Sequence, residues 1–172
     1  SKLQAGVTEM NMTVFDLSEQ LSGVISRFDI LKENDGIIIK LEAEDNIVIN
    51  ADITKLEQVV YNLINNAAKF TDKGNITFGY RTADGAGEVE LFVRDTGKGI
   101  SQEHLSRIFE RFYKADSYVK GVGLGLSICR TITELLGGEI SVVSAPGEGT
   151  CFKIVHPVRR TETAAETAGA YR

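Results

Sequence analysis

QVVYNLINNAAKFT, residues 58–71, is the stretch that decides how this chain folds. It belongs to a segment that Asp52 can cap and that we expect to continue as a helix to about Lys69. At about 100° per residue, one face of this helix is apolar, and its side chains are Ile53, Leu56, Val59, Val60, Leu63, Ile64 and Ala67. This face predicts that the helix packs on the core.

The opposite face of the same helix carries amides where a solvated helix usually carries charges: Gln58, Asn62, Asn65, Asn66 and Lys69. Asn is a mediocre helix former because its side chain competes for backbone hydrogen bonds. Asn62 and Asn66 are one turn apart, and amide oxygens suit Mg²⁺, which takes few protein ligands beside phosphates and water. Lys69 can add positive charge near those phosphates. The alternative, a merely polar surface, stays open on this helix alone.

The rest of the chain divides into hairpins and helices. Periodicity and turn residues predict helices over residues 17–33, 102–109 and 126–136, the first two capped by Asp16 and Ser101. They predict strands over residues 37–41, 47–49, 75–81, 88–94, 139–144 and 150–156. Because hairpins and helices come in separate runs, we expect the α+β class, with one mixed, mostly antiparallel sheet and helices on one face.

Asp95 follows a strand that should be half buried, in the segment DTGKG, residues 95–99. A buried carboxylate needs a hydrogen-bond donor, and the exocyclic amine of adenine is one that guanine lacks at the same position. Gly97 and Gly99 would allow positive φ and the close approach of a flat ring. The competing interpretation is a capped turn, in which such residues are common.

Three alternating glycines, Gly121, Gly123 and Gly125, open the helix that follows them. Backbone amides at a helix N-terminus are a ready phosphate site. The spacing is neither that of a dinucleotide-binding fold nor that of a P-loop, and the protein-kinase signatures are absent from the sequence.

Bulk properties exclude several classes of protein. The net charge is −5 over 172 residues, with no basic patch that would indicate nucleic-acid binding. No apolar run approaches the roughly 20 residues that span a bilayer, and no signal peptide is visible. The chain begins with Ser1 and not Met, so we expect a piece of a longer protein. Cys129 and Cys151 are expected to be core residues, with one disulfide as the alternative. His104 and His156 are expected to be structural or exposed.

Taken together and in order, these segments resemble the N, G1, F and G2 boxes of the histidine-kinase catalytic domain. The N box is residues 58–71, G1 is VRDTGKGI at 93–100, the F box is IFERFYK at 108–114, and G2 is GVGLGLSI at 121–128. GEGT at 147–150 resembles the last glycine turn of the family. The resemblance implies the Bergerat fold, a two-layer α/β sandwich with a mobile lid over ATP, here residues 101–120.

The resemblance also implies roles for individual residues. Asn66, with Asn62, would hold Mg²⁺, Asp95 would bind the adenine amine, and Lys114 would meet the γ-phosphate, with Asn62 and Lys114 acting in catalysis. Other nucleotide contacts would come from Lys69, Phe70, Gly97, Gly99, Ile100, Gly121, Val122, Gly123, Leu124, Gly125, Leu126 and Thr150. The cofactors would be ATP and Mg²⁺.

The expected organisation is the end of a dimerisation helix and its linker at residues 1–12, the catalytic domain at 13–157, and a disordered tail at 158–172. The phosphoacceptor His would lie on a dimerisation domain absent from this chain. A response-regulator receiver would take the phosphate, and no nucleic acid would be bound. The parent would be a homodimeric bacterial sensor kinase, membrane-bound with this part cytoplasmic, and the fragment itself a monomer.

Three alternatives are weighed against this function. A related ATPase of the same superfamily would hydrolyse ATP steadily, and an anti-sigma-type serine kinase would place phosphate on a partner's Ser. A degenerate binding module would show damaged motifs, whereas Asn62, Asn66, Asp95 and the three glycines are all present.

Overall fold

A computed structural model describes residues 9–28, 36–83, 87–111, 113 and 125–158. The strands within these residues are β1 (Thr13–Asp16), β2 (Ile37–Ala43), β3 (Val48–Ala51), β4 (Gly74–Ala83), β5 (Glu88–Asp95), β6 (Glu139–Ser144) and β7 (Thr150–Pro157). The helices are α1 (Leu17–Leu21), α2 (Ile53–Phe70), α3 (Gln102–Leu105) and α4 (Gly125–Leu135).

Five of the strands form the main sheet, in the order β2-β4-β5-β7-β6. The β2–β4 pair is parallel and the other pairs are antiparallel, which confirms the mixed, mostly antiparallel sheet. The prediction of a single sheet was wrong, because β3 pairs with β1 in a separate two-stranded sheet. Strand β1 was not predicted: only Phe15 of its four residues is buried, so the short segment has no alternation to detect.

The two faces of the main sheet differ because side chains alternate along each strand. On one face the register aligns Phe78, Val93 and Phe152, and all three are buried under α2 and α4 in the core. On the other face the Phe92 ring covers Gly79, and the Arg81 and Arg94 guanidinium groups lie 5.1 and 5.4 Å from its centroid. Helices α2 and α4 therefore pack on the apolar face, as expected for an α/β sandwich.

One predicted helix is interrupted and another ends early. Helix α1 stops at Leu21, residues 22–25 form a turn in which the Val24 N–H donates to the Leu21 carbonyl at 3.1 Å, and residues 26–28 are helical again up to the edge of the described range. The apolar spacing that predicted one helix is kept across this break, since Val24, Ile25 and Phe28 stay buried, with Gly23 inside the turn. Residues 29–33 lie outside the described ranges.

Helix α3 ends at Leu105 instead of residue 109, and the predicted cap Ser101 makes no side-chain capping bond. Three-residue bonds, from Arg107 N–H to the His104 carbonyl and from Glu110 N–H to the Arg107 carbonyl, tighten the chain after it. This tighter winding accompanies burial of Ile108 in the core.

Both cysteines are free thiols. Cys129 lies in the core, where burial raises the pKa of its thiol to about 12. Cys151 is partly exposed on the outer face of the sheet, so the disulfide alternative is wrong. His156 is buried, and burial lowers the pKa of its imidazole; its Nε2 lies 3.2 Å from the Asn50 carbonyl oxygen, to which the neutral ring can donate. Among the described residues, no helix has both the length and the apolar character needed to cross a membrane.

Replacing Leu63 on α2 by Ala should lower the free energy of unfolding by about 2–5 kcal/mol, because the side chain is 1% exposed and its loss leaves a cavity. Leu135→Ala is the matched control: this leucine on α4 is 47% exposed, and a change within about 0.5 kcal/mol is expected. Urea denaturation of both variants measures the difference, and equal losses would contradict the assigned core.

Candidate functional site

The predicted site residues within the described ranges fall into three groups. Asn62, Asn66, Lys69 and Phe70 lie on α2; Asp95, Gly97, Gly99 and Ile100 lie at the end of β5 and after it; and Gly125, Leu126 and Thr150 lie at the starts of α4 and β7. The predicted contacts Lys114, Gly121, Val122, Gly123 and Leu124 lie outside the described residues.

Asp95 is the last residue of β5, and the sheet register places it opposite Thr150, the first residue of β7. Its side chain is buried, and the backbone N–H of Gly97 donates to Oδ1 at 2.9 Å. Burial raises the pKa of the Asp95 carboxyl, while the N–H groups of Gly97 and Thr150 act to lower it. The bond from Gly97 is that of a capped turn, but an ionised carboxylate offers about four acceptor positions, so capacity for a further donor remains.

The loop after Asp95 is hydrogen-bonded to the end of α2 on one side and to the turn before β7 on the other. Lys98 N–H donates to the Phe70 carbonyl at 3.1 Å, and Gly147 N–H donates to the Lys98 carbonyl at 2.7 Å. A Cβ at Gly97 would collide with the Phe70 carbonyl, and one at Gly99 with the Ala145 carbonyl.

Only Gly99 has the positive φ expected for both glycines, at 74°. Gly97 does not use the positive φ that its sequence allows. The backbone comes close to other backbone at both positions, so the missing side chains make room for the protein itself, and the approach of a flat ring stays a prediction.

Ser144, at the end of β6, fixes this loop from the other side. Its buried Oγ accepts from the Ile100 N–H at 2.8 Å and donates to the Gly149 carbonyl at 2.9 Å. The Thr150 hydroxyl lies 2.8 Å from the same Oγ, and since the single Ser144 proton is directed to Gly149, Thr150 is the donor in this contact. One hydroxyl thus joins the loop to the last hairpin.

A cleft of about 220 Å³ opens beside the loop, lined by Phe70, Lys98, Gly99, Ile100, Ser101, His104 and Pro146. The Lys98 ammonium lies 5.1 Å from the centroid of the Phe70 ring. The volume is below the about 300–1,000 Å³ of pockets that enclose a whole drug-sized ligand, and suits a single aromatic base. Among the predicted residues Phe70, Gly99 and Ile100 line this cleft, whereas Asp95 and Thr150 are buried and do not.

On α2, Lys69 is exposed and Asn66 is partly exposed, so both can reach a ligand. Asn62 has a contact that the sequence did not indicate: its amide hydrogen-bonds the buried Cys129 thiol of α4. The same thiol also contacts the Val59 carbonyl at 3.7 Å. These contacts hold the start of α4, which follows the glycine segment, against the amide-bearing helix.

The end of α2 meets the loop after β5, and the middle of α2 meets α4, but of the predicted residues that the structure describes only Phe70, Gly99 and Ile100 share the cleft; Asn62, Asn66 and Lys69 on α2 do not line it. Several neighbours were not predicted to be site residues: Thr71, Lys98, Ser101, His104, Ser144 and Pro146. Lys98 and Thr71 stand inside the quoted G1 and N segments, which could have indicated them. Ser144 and Pro146 belong to a different hairpin, and only the tertiary fold brings them here.

Residues 51–160 match the family described as histidine kinase-, DNA gyrase B- and HSP90-like ATPase. The chain belongs to this family. Its relatives include the sensor protein KdpD of Clostridium acetobutylicum, 34% identical over 161 residues, and the sensor-like histidine kinase SenX3 of Mycobacterium tuberculosis, also 34% identical over 161 residues. Both alignments cover 91% of this chain but only 18% and 39% of those proteins.

Two solved structures narrow the likeness to one branch of the family. The catalytic domain of histidine kinase ThkA is 30% identical with a TM-score of 0.76, and the match covers 86% of this chain and 96% of that one. Full-length ShkA, solved in complex with AMPPNP, is 31% identical with a TM-score of 0.81, covering 91% of this chain and 33% of that one. The chain is thus a catalytic domain of the sensor-histidine-kinase type, with the Bergerat fold that the motifs implied.

Ser144→Ala should lower the free energy of unfolding by about 1–3 kcal/mol, because it leaves the buried Ile100 N–H without its acceptor. Ser141→Ala, at an exposed position on the same strand, is the control and should change stability by less than about 0.5 kcal/mol. Hydrogen exchange at Ile100 should also accelerate in the first variant, and unchanged exchange would contradict the contact.

Proposed function

We propose that this chain binds ATP with Mg²⁺ and transfers the γ-phosphate to a histidine on a dimerisation domain that it does not itself contain. The observation that carries the proposal is the buried Asp95 carboxylate, with acceptor capacity left over, at the start of the loop whose later residues line a base-sized cleft. Residues 13–157 would be the catalytic domain. The AMPPNP bound by ShkA supports a nucleotide as the ligand.

Asp95 and the cleft would hold the base end of the nucleotide. A carboxylate only accepts hydrogen bonds, so Asp95 selects a base edge that carries an amine, as adenine does and guanine does not at that position. Phe70 and Ile100 supply the apolar walls of the cleft, and Gly99 and the Ser144 bond keep its floor in place. Orientation would come from a few placed polar groups beside apolar walls, as is usual for cofactor sites.

The phosphate end is assigned to α2. Asn66 is partly exposed and presents a neutral oxygen ligand, so it fits a magnesium ion that takes its other ligands from phosphates and water. Asn62 stands one turn away as the second candidate ligand and catalytic residue, although its amide already bonds Cys129. Bound magnesium would neutralise charge on the phosphates. Lys69 would add positive charge there, with Lys114 and residues 121–126 as further contacts.

Catalysis of phosphoryl transfer depends mainly on positioning and charge neutralisation. This chain would supply both, while the nucleophilic imidazole would come from the dimerisation domain. The curated relatives are sensor kinases that this chain spans only in part, so the homodimeric parent and the receiver Asp that takes the phosphate next are inferred from them. A membrane-bound parent with this domain on the cytoplasmic side is part of the same proposal.

Calorimetry of ATP binding with and without Mg²⁺, on the wild-type chain and Asp95→Asn, tests the assigned pocket. Loss of a hydrogen bond to a charged group is worth about 1.5–3 kcal/mol, so Asp95→Asn should bind ATP about ten- to a hundredfold more weakly. Asn still accepts from Gly97 and removes a buried charge that burial disfavours, so the variant should remain folded. Undiminished binding to folded Asp95→Asn would refute the pocket.

Transfer is tested by mixing the chain with a separately expressed dimerisation domain of a relative such as ThkA and radiolabelled ATP. Label on the histidine of that domain, abolished when that histidine is changed to Gln, is the expected result. Acid-stable label on serine would instead indicate a serine kinase. Steady release of phosphate without labelled protein would indicate an ATPase of the same family, and either result would overturn the histidine assignment.

A further inference from the structure

Four hydrogen-bond donors on the described residues at and after the end of β5 and at the start of β7 are committed within the protein. The Gly97 N–H donates to Asp95 Oδ1, and the Thr150 N–H donates to the same carboxylate. The Thr150 hydroxyl proton is directed to Ser144, and the Ile100 N–H is directed to Ser144 as well. A ligand that places an acceptor atom beside Asp95 therefore finds these four donors already used.

Thr71 is the exception. It follows the end of α2, is 2% exposed, and its Oγ1 is the one buried side-chain polar atom among the described residues that has no hydrogen-bond partner. It lies close to Asp95: the position that a Cβ at Gly97 would take is 2.8 Å from Thr71 Oγ1 and 2.9 Å from Asp95 Oδ1. A hydroxyl buried without a partner is costly, so a missing partner is the natural explanation for it.

We propose that the Thr71 hydroxyl, directly or through one water, donates a hydrogen bond to the acceptor nitrogen that adenine carries next to its exocyclic amine. This inference rests on the proposed nucleotide site and adds a specificity-determining residue to it. The amine is a donor and the neighbouring ring nitrogen is an acceptor, so the edge needs one acceptor and one donor from the protein. Asp95 can only accept, whereas a hydroxyl can donate.

The position of Thr71 suits this role. Phe70, the preceding residue, lines the base-sized cleft, and its carbonyl accepts from Lys98 in the loop that follows Asp95. The same short segment thus provides an apolar wall of the cleft and, at the next residue, a buried hydroxyl without a partner. A water bridge is compatible with burial, because buried waters typically join otherwise unsatisfied polar groups.

The test measures the affinity for ATP and for its 1-deaza analogue, in which C–H replaces the acceptor nitrogen. The proteins compared are wild type, Thr71→Val, Thr71→Ser and a control, Thr77→Val. Thr77 is a buried threonine on the other face of the sheet. Thr71→Val should bind ATP about five- to tenfold more weakly, as expected for one lost hydrogen bond. Thr71→Ser and Thr77→Val should stay within about twofold of wild type. Wild type should bind the analogue as weakly as Thr71→Val binds ATP, and Thr71→Val should not discriminate between the two nucleotides.

Unchanged ATP binding by Thr71→Val would contradict this inference. If the hydroxyl simply has no partner, Thr71→Val should stabilise the free protein and bind ATP as wild type does, which would overturn this inference and leave the nucleotide site intact. If wild type binds no ATP at all, the proposed function and this inference fail together. Should Thr71→Val not fold, the wild-type comparison of ATP with 1-deaza-ATP still decides, because equal affinities exclude the contact.

Discussion

The antiparallel register of β5 and β7 is the constraint on which the site depends. It sets Asp95 opposite Thr150, so that a carboxylate at the end of one buried strand receives an N–H from the first residue of the next. A shift by one residue would turn Asp95 to the outer face of the sheet, where Arg94 now lies. The same register aligns the buried side chains that pack under α2, so the core and the position of the carboxylate are determined together.

Much of this arrangement could be predicted, because the longest elements have the clearest periodicity. Helix α2 differs from its prediction only at its ends, and the five strands of the main sheet lie where alternation placed them. The errors lie in short elements: β1 buries one side chain of four, and the turn at residues 22–25 and the segment after α3 contain three-residue bonds with a nearly helical spacing of apolar residues. Apolar spacing identifies a buried face but does not distinguish an α-helix from a tighter turn.

The candidate site was predicted less completely than the fold, and the physical reason is distance along the chain. Asp95 and Phe70 stand within recognisable motifs, whereas Ser144 is 44 residues beyond the Ile100 N–H that it accepts from. A serine at the end of a strand has no distinguishing neighbours in the sequence. Gly97 and Gly99 also answer to a constraint that the sequence does not show, since a Cβ at either position would meet carbonyls from other parts of the chain.

The contact between Asn62 and Cys129 changes how the amide face of α2 should be understood. The sequence assigned three of its five polar residues to a ligand, Asn62, Asn66 and Lys69, yet Asn62 is already bonded to the helix that follows the glycine segment. Cys129 lies one turn after Gly125, so this contact fixes the first turn of α4 relative to α2 from inside the protein. The position of Gly125, the described end of the glycine segment, is therefore set by the core packing of α4 against α2.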